Sequence, residues 1–134
     1  MQAKRNTKYK AKRSGGNPAD VKTLTKKVIK FRDARDWKQF HNPKDSAIAL
    51  VLEANEVLEQ FRWQNKEEME EYVKNHKLEL GEELADVMYW VFLMSHDLKI
   101  DLTKAFNKKM IKNGKNYPAK KVKGKHYKYT AYEK

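Results

Sequence analysis

The feature that most constrains this fold is a pair of long apolar segments into which acidic residues are set at regular intervals. The first contains ALVLEANEVLE, residues 49–59, and the second is LELGEELADVMYWVFLMSHDL, residues 78–98. In both segments apolar residues recur every three to four positions, which predicts α-helices. A helix that is apolar on most of its sides has to be covered by other helices or by another copy of the chain. The two segments therefore predict the centre of a helical protein that assembles as an oligomer or lines a pocket.

A helical pattern also appears in the other segments between about residues 21 and 118, whereas the C-terminal tail has no helical period, and the chain shows no strand-like alternation of any length. The break at His41-Asn42-Pro43 separates the first two helices, and Asp45 or Ser46 can cap the second. Asp101 can cap the last principal helix, which ends near Pro118. The expected principal helices cover approximately residues 21–37, 46–63, 78–98 and 102–118. This order predicts an all-α fold of the four-helix-bundle type.

The net charge of +12 is unevenly distributed along the 134 residues. Residues 1–13 hold six Lys or Arg and no acid, and residues 104–134 hold eleven Lys and one acid. These ends contribute +16, which leaves residues 14–103 at −4. Because the N-terminal end is polar and finishes in two glycines, we expect it to be disordered. The chain thus divides into two basic tails and a folded domain between them, over residues 1–16, 119–134 and 17–118.

The composition excludes several classes of site. The chain has no cysteine, so disulfides, thiolate metal sites and a cysteine nucleophile are excluded. None of the four histidines has a glutamate three residues before it, which argues against a di-iron carboxylate centre. We expect these histidines to make surface or local hydrogen bonds. The chain lacks both the apolar run of a secretory signal and the roughly 18 consecutive apolar residues of a membrane span, so we expect a cytoplasmic protein.

The acids of the two apolar segments occupy equivalent positions. On a helical wheel of about 100° per residue, Glu53 and Glu56 lie about 60° apart at one edge of an apolar stripe, whereas Glu59 turns further away. That stripe comprises Leu50, Val51, Ala54, Val57, Leu58 and Phe61. In the second segment, Glu83 and Asp86 have the same offset from their own stripe. If the two stripes pack together in antiparallel fashion, both acid pairs border one shared space.

Four carboxylates in one space repel each other and raise one another's pKa. A divalent cation removes this repulsion, and oxygen ligands favour Mg²⁺, with Mn²⁺ as a close substitute. The alternative is that the four acids edge a solvated helix face, as acid pairs at helical spacing commonly do.

Four motifs together resemble a known family. They are RDWKQFH, LVLEANEVLEQFRW, GEELADVMYWV and KKMIKNGKNYP, at residues 35–41, 50–63, 81–91 and 108–118. Over roughly residues 20–118 the chain is similar to the MazG-like all-α nucleotide pyrophosphohydrolases, in particular to their dCTP pyrophosphatase-type branch. Asn55 departs from the family pattern, which often has glycine before the second glutamate, and we expect this change to affect local packing more than chemistry.

The resemblance implies a Mg²⁺-dependent hydrolase that cleaves a nucleoside triphosphate to the monophosphate and pyrophosphate. By motif position the metal ligands are Glu53, Glu56, Glu83 and Asp86. Among these four, we expect Glu56 to contact the attacking water. Aromatic and polar residues would bind the substrate, namely Trp37, Trp63, Trp90, Lys109, Asn113 and Tyr117. The resemblance also implies a homodimer or homotetramer with its site near the subunit contacts.

The basic ends leave a second interpretation open. A helical protein could use its two tails to bind nucleic acid through phosphate contacts, with the acidic middle playing no part. In that case binding is sensitive to salt and is lost when both tails are removed.

Overall fold

The computed structural model describes residues 19–132, so the N-terminal tail expected over residues 1–16 lies outside the described range. The described part is helical throughout and contains no strand. Its α-helices are α1 (Val21–Asp33), α2 (Pro43–Glu59), α3 (Lys66–Asn75), α4 (Lys77–Asp97), α5 (Leu102–Asn116) and α6 (Ala119–Val122). Two 3-10 helices cover Trp37–Phe40 and Tyr129–Tyr132. The expected all-α fold is confirmed, while the four-helix-bundle type and the oligomer stay predictions.

Side-chain caps determine where the principal helices begin. Asp20 accepts a hydrogen bond from the backbone N–H of Thr23 at 2.7 Å and so caps α1. Asn42 caps α2 by accepting from the backbone N–H of Asp45 at 2.9 Å, and proline occupies the first helical position. The expected caps Asp45 and Ser46 are therefore wrong. Asp45 instead lies in the first turn, where its negative charge interacts favourably with the helix dipole.

Other helix boundaries also differ from the sequence pattern, and α2 ends at Glu59 instead of Trp63. The first helix ends at Asp33 instead of Trp37, and Asp36 adopts a left-handed conformation with φ 54° that redirects the chain. The acidic stretch after the second helix forms a helix of its own, because Asn65 and Glu68 close a reciprocal capping box.

The long helix α4 is the centre of the molecule, because both α1 and α2 pack against it. Its side chains Phe92 and Leu93 are buried, and Leu93 is entirely inaccessible. Arg32 of α1 is also buried, with 1% of its surface exposed, and its Nη1 donates to both carboxylate oxygens of Asp97 at 2.7 Å. Its Nε donates to Asp33 at 2.9 Å. This ion-pair cluster joins the C-terminal end of α1 to that of α4.

The single chain covers only part of the apolar surface of α2 and α4. Half of the stripe expected to form the core faces outward, since Val51 is 66% exposed and Leu58 is 58% exposed, and Ala54 is exposed as well. On α4, Leu84 is 55% exposed. The helices meet instead along a narrower face that contains Glu53. The expectation that the acids only border the core is therefore wrong for this residue.

The C-terminal part of the described chain extends away from this packing. Helix α5 makes no extensive contact with any other helix of the described range, and its Phe106 and Ile111 are 63% and 64% exposed. The segment after it, which lacks a helical pattern in the sequence, contains α6 and the second 3-10 helix. Tyr129 of that segment packs edge-on against Tyr117, with 5.9 Å between ring centroids. Within residues 19–132, no helix has both the length and the apolarity to cross a membrane.

Candidate active site

The site lies where α2 and α4 pack together in antiparallel fashion. The start of α2 lies beside the end of α4, since Ser46 and Met94 line one cavity. At the middle of both helices, one carboxylate oxygen from each of Glu53, Glu83 and Asp86 lies within 4.8 Å of the other two. Residues some thirty positions apart in the sequence thus form one acidic cluster, which we call the carboxylate cluster.

The electrostatics of the cluster favour a bound cation. Burial raises the pKa of Glu83 above its ordinary value, and the negative charges of Glu56, Asp86 and Glu53 raise it further. The shift means that the folded chain resists ionising this carboxyl group. A divalent cation between the carboxylates reverses the effect, because metal binding requires and stabilises the ionised form.

The donor set fits a hard cation. All three residues offer carboxylate oxygens, and no nitrogen or sulfur ligand belongs to the described group. Mg²⁺ prefers hard oxygen ligands of this kind, so Glu53, Glu83 and Asp86 would be suited to hold it. Mn²⁺ accepts the same ligands.

The other two glutamates of α2 occupy different environments. Glu56 is exposed and lies outside the cluster of three, but its charge is the largest electrostatic contribution to the raised pKa of Glu83. It is therefore near Glu83 and open to solvent. Glu59 forms an ion pair with Arg62 at 2.9 Å, which agrees with its position on the helical wheel.

An aromatic group borders the carboxylate cluster on α4. Trp90 lies one helical turn after Asp86, so the two side chains are neighbours on one face. Its ring packs edge-on against His41 and Tyr89, with centroid distances of 5.3 and 5.4 Å. Phe31 connects this group to Trp37, because its ring packs edge-on against both Tyr89 and Trp37. Trp37 therefore contacts Phe31 of α1 and is joined to Trp90 only through Phe31 and Tyr89.

His41 is the residue that sequence reasoning missed at this site. We expected a surface or local role, whereas its imidazole packs against Trp90 and its Nδ1 is buried without a hydrogen-bond partner among the described residues. The sequence feature that could have indicated a role at the site was the position of His41 at the end of the RDWKQFH motif, immediately before the residues that begin α2.

The remaining residues expected to bind substrate are not gathered around the cluster in the single chain. Trp63, beyond the end of α2, is 84% exposed, and the guanidinium of Arg62 lies 4.7 Å from its ring centre. Lys109 is exposed on α5, while Asn113 and Tyr117 follow on the same face of that helix. Since α5 does not pack closely on α2 or α4, none of these three side chains reaches the carboxylate cluster of its own chain. Lys109 is exposed, Asn113 is half-buried, and Tyr117 packs against Tyr129.

The two larger surface cavities also lie away from the carboxylate cluster. A cavity of about 590 Å³ lies between the start of α1 and the α4–α5 connection, and another of about 350 Å³ lies at the start of α2. Neither is lined by a member of the carboxylate cluster. The cluster therefore lies outside both cavities, with Glu53 and Glu83 half-buried and Asp86 exposed.

Comparisons with known proteins identify the family. Residues 48–131 match the model of the MazG-like family. The chain is 34% identical over 102 residues to the proteins named dCTP pyrophosphatase 1 of Bos taurus and Homo sapiens, which covers 75% of this chain. The matched region spans 60% of the length of these relatives.

A solved structure agrees with the sequence comparisons. The crystal structure of a pyrophosphatase from Archaeoglobus fulgidus superposes with a TM-score of 0.70 at 32% identity, covering 77% of this chain and 96% of that one. The family match includes both segments that supply the carboxylate cluster. The chain belongs to the MazG-like family.

Proposed function

We propose that this protein is a Mg²⁺-dependent pyrophosphohydrolase that cleaves a nucleoside triphosphate to the monophosphate and pyrophosphate. The carboxylate cluster carries the proposal, because three oxygens from Glu53, Glu83 and Asp86 converge within 4.8 Å of one another. Family membership and the pyrophosphatase names of the relatives support the reaction class. The name dCTP pyrophosphatase supports a deoxynucleotide similar to dCTP, hydrolysed for pool sanitation or balance.

The residues in and around the carboxylate cluster can divide the reaction between them. Glu53, Glu83 and Asp86, joined by Glu56, would hold the cation. When bound, the ion supplies positive charge to the triphosphate oxygens and to the charge that develops during transfer. Trp90, one helical turn from Asp86, offers an aromatic face on which a nucleobase can stack beside the cluster, and Trp37 would contribute to the same base-binding site.

Glu56 is suited to act as the general base, because it is exposed and near Glu83. It takes a proton from a water as that water attacks the α-phosphorus in line with the bridging oxygen to the β-phosphorus. The new bond joins the water oxygen to the α-phosphorus, and the bond to the bridging oxygen breaks. Pyrophosphate leaves with that electron pair, and the proton passes from Glu56 to solvent.

We also propose that the active protein is a homodimer or homotetramer. The outward apolar face formed by Val51, Leu58 and Leu84 is more than half exposed at each residue, and such surfaces mark interaction sites. A second copy on this face would cover it. It would also allow Lys109, Asn113 and Tyr117, which do not reach the carboxylate cluster of their own chain, to contact a nucleotide from across the subunit contact.

A nucleotide panel with Mg²⁺ tests the proposed reaction. Monophosphate and pyrophosphate are measured separately for the common and modified ribo- and deoxynucleoside triphosphates, with Mn²⁺ and EDTA as parallel conditions. We expect equimolar monophosphate and pyrophosphate from a dCTP-like substrate, loss of activity in EDTA, and loss in Glu53→Gln.

The matched control for Glu53→Gln is Glu59→Gln. It removes a carboxylate from the same helix, but this carboxylate is paired with Arg62 instead of belonging to the cluster. This control should retain activity. Release of orthophosphate instead of pyrophosphate, or equal loss in the two variants, would contradict the proposal.

A further inference from the structure

The proposed enzymatic site does not use the most basic surface of the described chain. Residues 102–132 contain ten lysines and no acidic residue. All ten lysines are exposed. Among the described residues, the lysine salt bridges are those of Lys44 and Lys66, so none of the ten is neutralised by a carboxylate. This part of the molecule therefore presents concentrated positive charge to solvent.

On α5 the lysines follow the helix geometry. Lys104, Lys108 and Lys112 recur at i, i+4 and i+8, and Lys115 continues the row within about 80° of the helix circumference. We call these four residues the lysine row. Its length along the axis is about 16 Å, because Lys104 and Lys115 are separated by eleven rises of about 1.5 Å each.

The lysine row is separate from the face of α5 assigned to the substrate. Lys109 lies about 100° from Lys108 on the wheel, on the face that also carries Phe106 and Asn113. A subunit contact or a nucleotide on that face leaves the lysine row on the outside. The row also belongs to a different helix from the carboxylates of α2 and α4, whose negative charge would repel a polyanion.

A ligand that matches such a row is an extended chain of phosphates. Duplex nucleic acid carries one negative charge per about 1.7 Å of axis with both strands counted, so a 16 Å length of duplex contains on the order of ten phosphates, of which the row contacts those on one side. A free nucleoside triphosphate is too short to contact the whole row. Lysine contacts to phosphate carry no base readout, so binding of this kind is independent of nucleotide sequence.

We propose that the lysine row of α5 is a binding surface for the sugar–phosphate backbone of nucleic acid. Five further lysines follow in residues 118–128 and extend the same acid-free surface beyond the helix. The surface would hold the enzyme on a polynucleotide while the carboxylate cluster remains free. The lysine row differs from the two terminal tails, because its four lysines lie on the formed helix α5.

The test compares two sets of lysines with the same spacing in the full-length protein. The variant Lys104→Gln/Lys108→Gln/Lys112→Gln removes three members of the lysine row. The matched control Lys22→Gln/Lys26→Gln/Lys30→Gln removes three exposed lysines at i, i+4 and i+8 on α1, where Asp20 and Asp33 lie nearby. Glutamine and lysine have similar helix propensity, so both variants should keep their helix content in circular dichroism.

Binding is measured by fluorescence anisotropy with a labelled 20-base-pair DNA duplex and a labelled single-stranded RNA of mixed sequence, from 50 to 300 mM KCl. For the duplex, loss of three phosphate contacts should reduce the magnitude of the slope of log affinity against log salt by about 2.7. The ratio of unaltered to variant affinity should therefore decrease by about a hundredfold between 50 and 300 mM KCl. The control variant should change the slope by less than one third of that amount. Preference between the DNA and RNA probes identifies the physiological class of polynucleotide.

Three outcomes would overturn this assignment. One is absence of salt-dependent binding to either probe by the unaltered protein. Another is an equal effect of the two triple variants, which would mean that net charge alone is responsible. The last is binding only to vesicles of 30% phosphatidylserine in phosphatidylcholine, which would make the basic surface a membrane contact. None of these results depends on whether the protein hydrolyses nucleotides.

Discussion

Replacing Glu83 with glutamine should stabilise the metal-free protein and abolish its response to Mg²⁺. The reason is the position of Glu83 in the carboxylate cluster, with oxygens of Glu53 and Asp86 within 4.8 Å. Without a cation, burial and neighbouring negative charge raise the pKa of Glu83. The uncharged amide has nearly the same shape and does not add to the repulsion.

The pH dependence of stability has a defined sign. In the unfolded chain Glu83 ionises near its ordinary pKa of 4.5, and in the folded chain its pKa is raised. Between these two values the folded state binds more protons, so the free energy of unfolding decreases as the pH rises through this window. In EDTA the Glu83→Gln variant should therefore melt no lower than the unaltered protein at pH 8, and any advantage should disappear as the pH falls towards 4.5.

Mg²⁺ reverses the ranking. A ligand at one hundred times its dissociation constant stabilises the folded state by about 2.7 kcal/mol. For 134 residues, an unfolding entropy of about 2.1 cal/mol/K per residue converts that energy into an increase of about 10 °C in the melting temperature. The variant has lost a ligand and should show little of this increase.

Thermal melts followed by circular dichroism, at one protein concentration, in EDTA and in Mg²⁺ measure both effects. Glu59→Gln is the control and should respond to Mg²⁺ like the unaltered protein. If Glu83→Gln keeps the full Mg²⁺ shift, or melts well below the unaltered protein in EDTA at pH 8, then Glu83 is a structural residue and the metal assignment is wrong.

Two further predictions concern stability and assembly. Asp97→Asn should lower the free energy of unfolding in urea by about 3 kcal/mol, because it leaves the buried guanidinium of Arg32 without its main charged partner; a change below about 0.5 kcal/mol would show that Asp33 alone is sufficient. Leu58→Asp places a charge on the outward apolar face of α2 and should convert the oligomer to a monomer in light scattering, with helix content unchanged. A solvent-facing replacement, Glu59→Gln, should leave the mass unchanged, and an unaltered mass for Leu58→Asp would place the subunit contact elsewhere.

The helices and the identity of the acidic residues could be recognised without a structure. Apolar spacing identified the all-α fold, and the Glu-x-x-Glu and Glu-x-x-Asp pairs identified candidate metal ligands. These inferences succeed because helix formation and side-chain direction are local properties, set by a period of about 3.6 residues. The caps were less predictable. The N-cap position of α2 could be filled by any of three suitable residues, Asn42, Asp45 and Ser46. Asn42 fills it because Pro43 occupies the first helical position.

The sequence alone supports a helical chain with two acid pairs and a concentrated basic end. Tertiary structure alone shows which side of each helix is covered. On a helix that is apolar nearly all round, the wheel cannot distinguish the face that meets α4 from the face that remains outward. Packing places Glu53 in the seam, leaves Leu58 exposed, and brings His41 against Trp90. These contacts join residues far apart in the chain, and their relative positions depend on how whole helices pack.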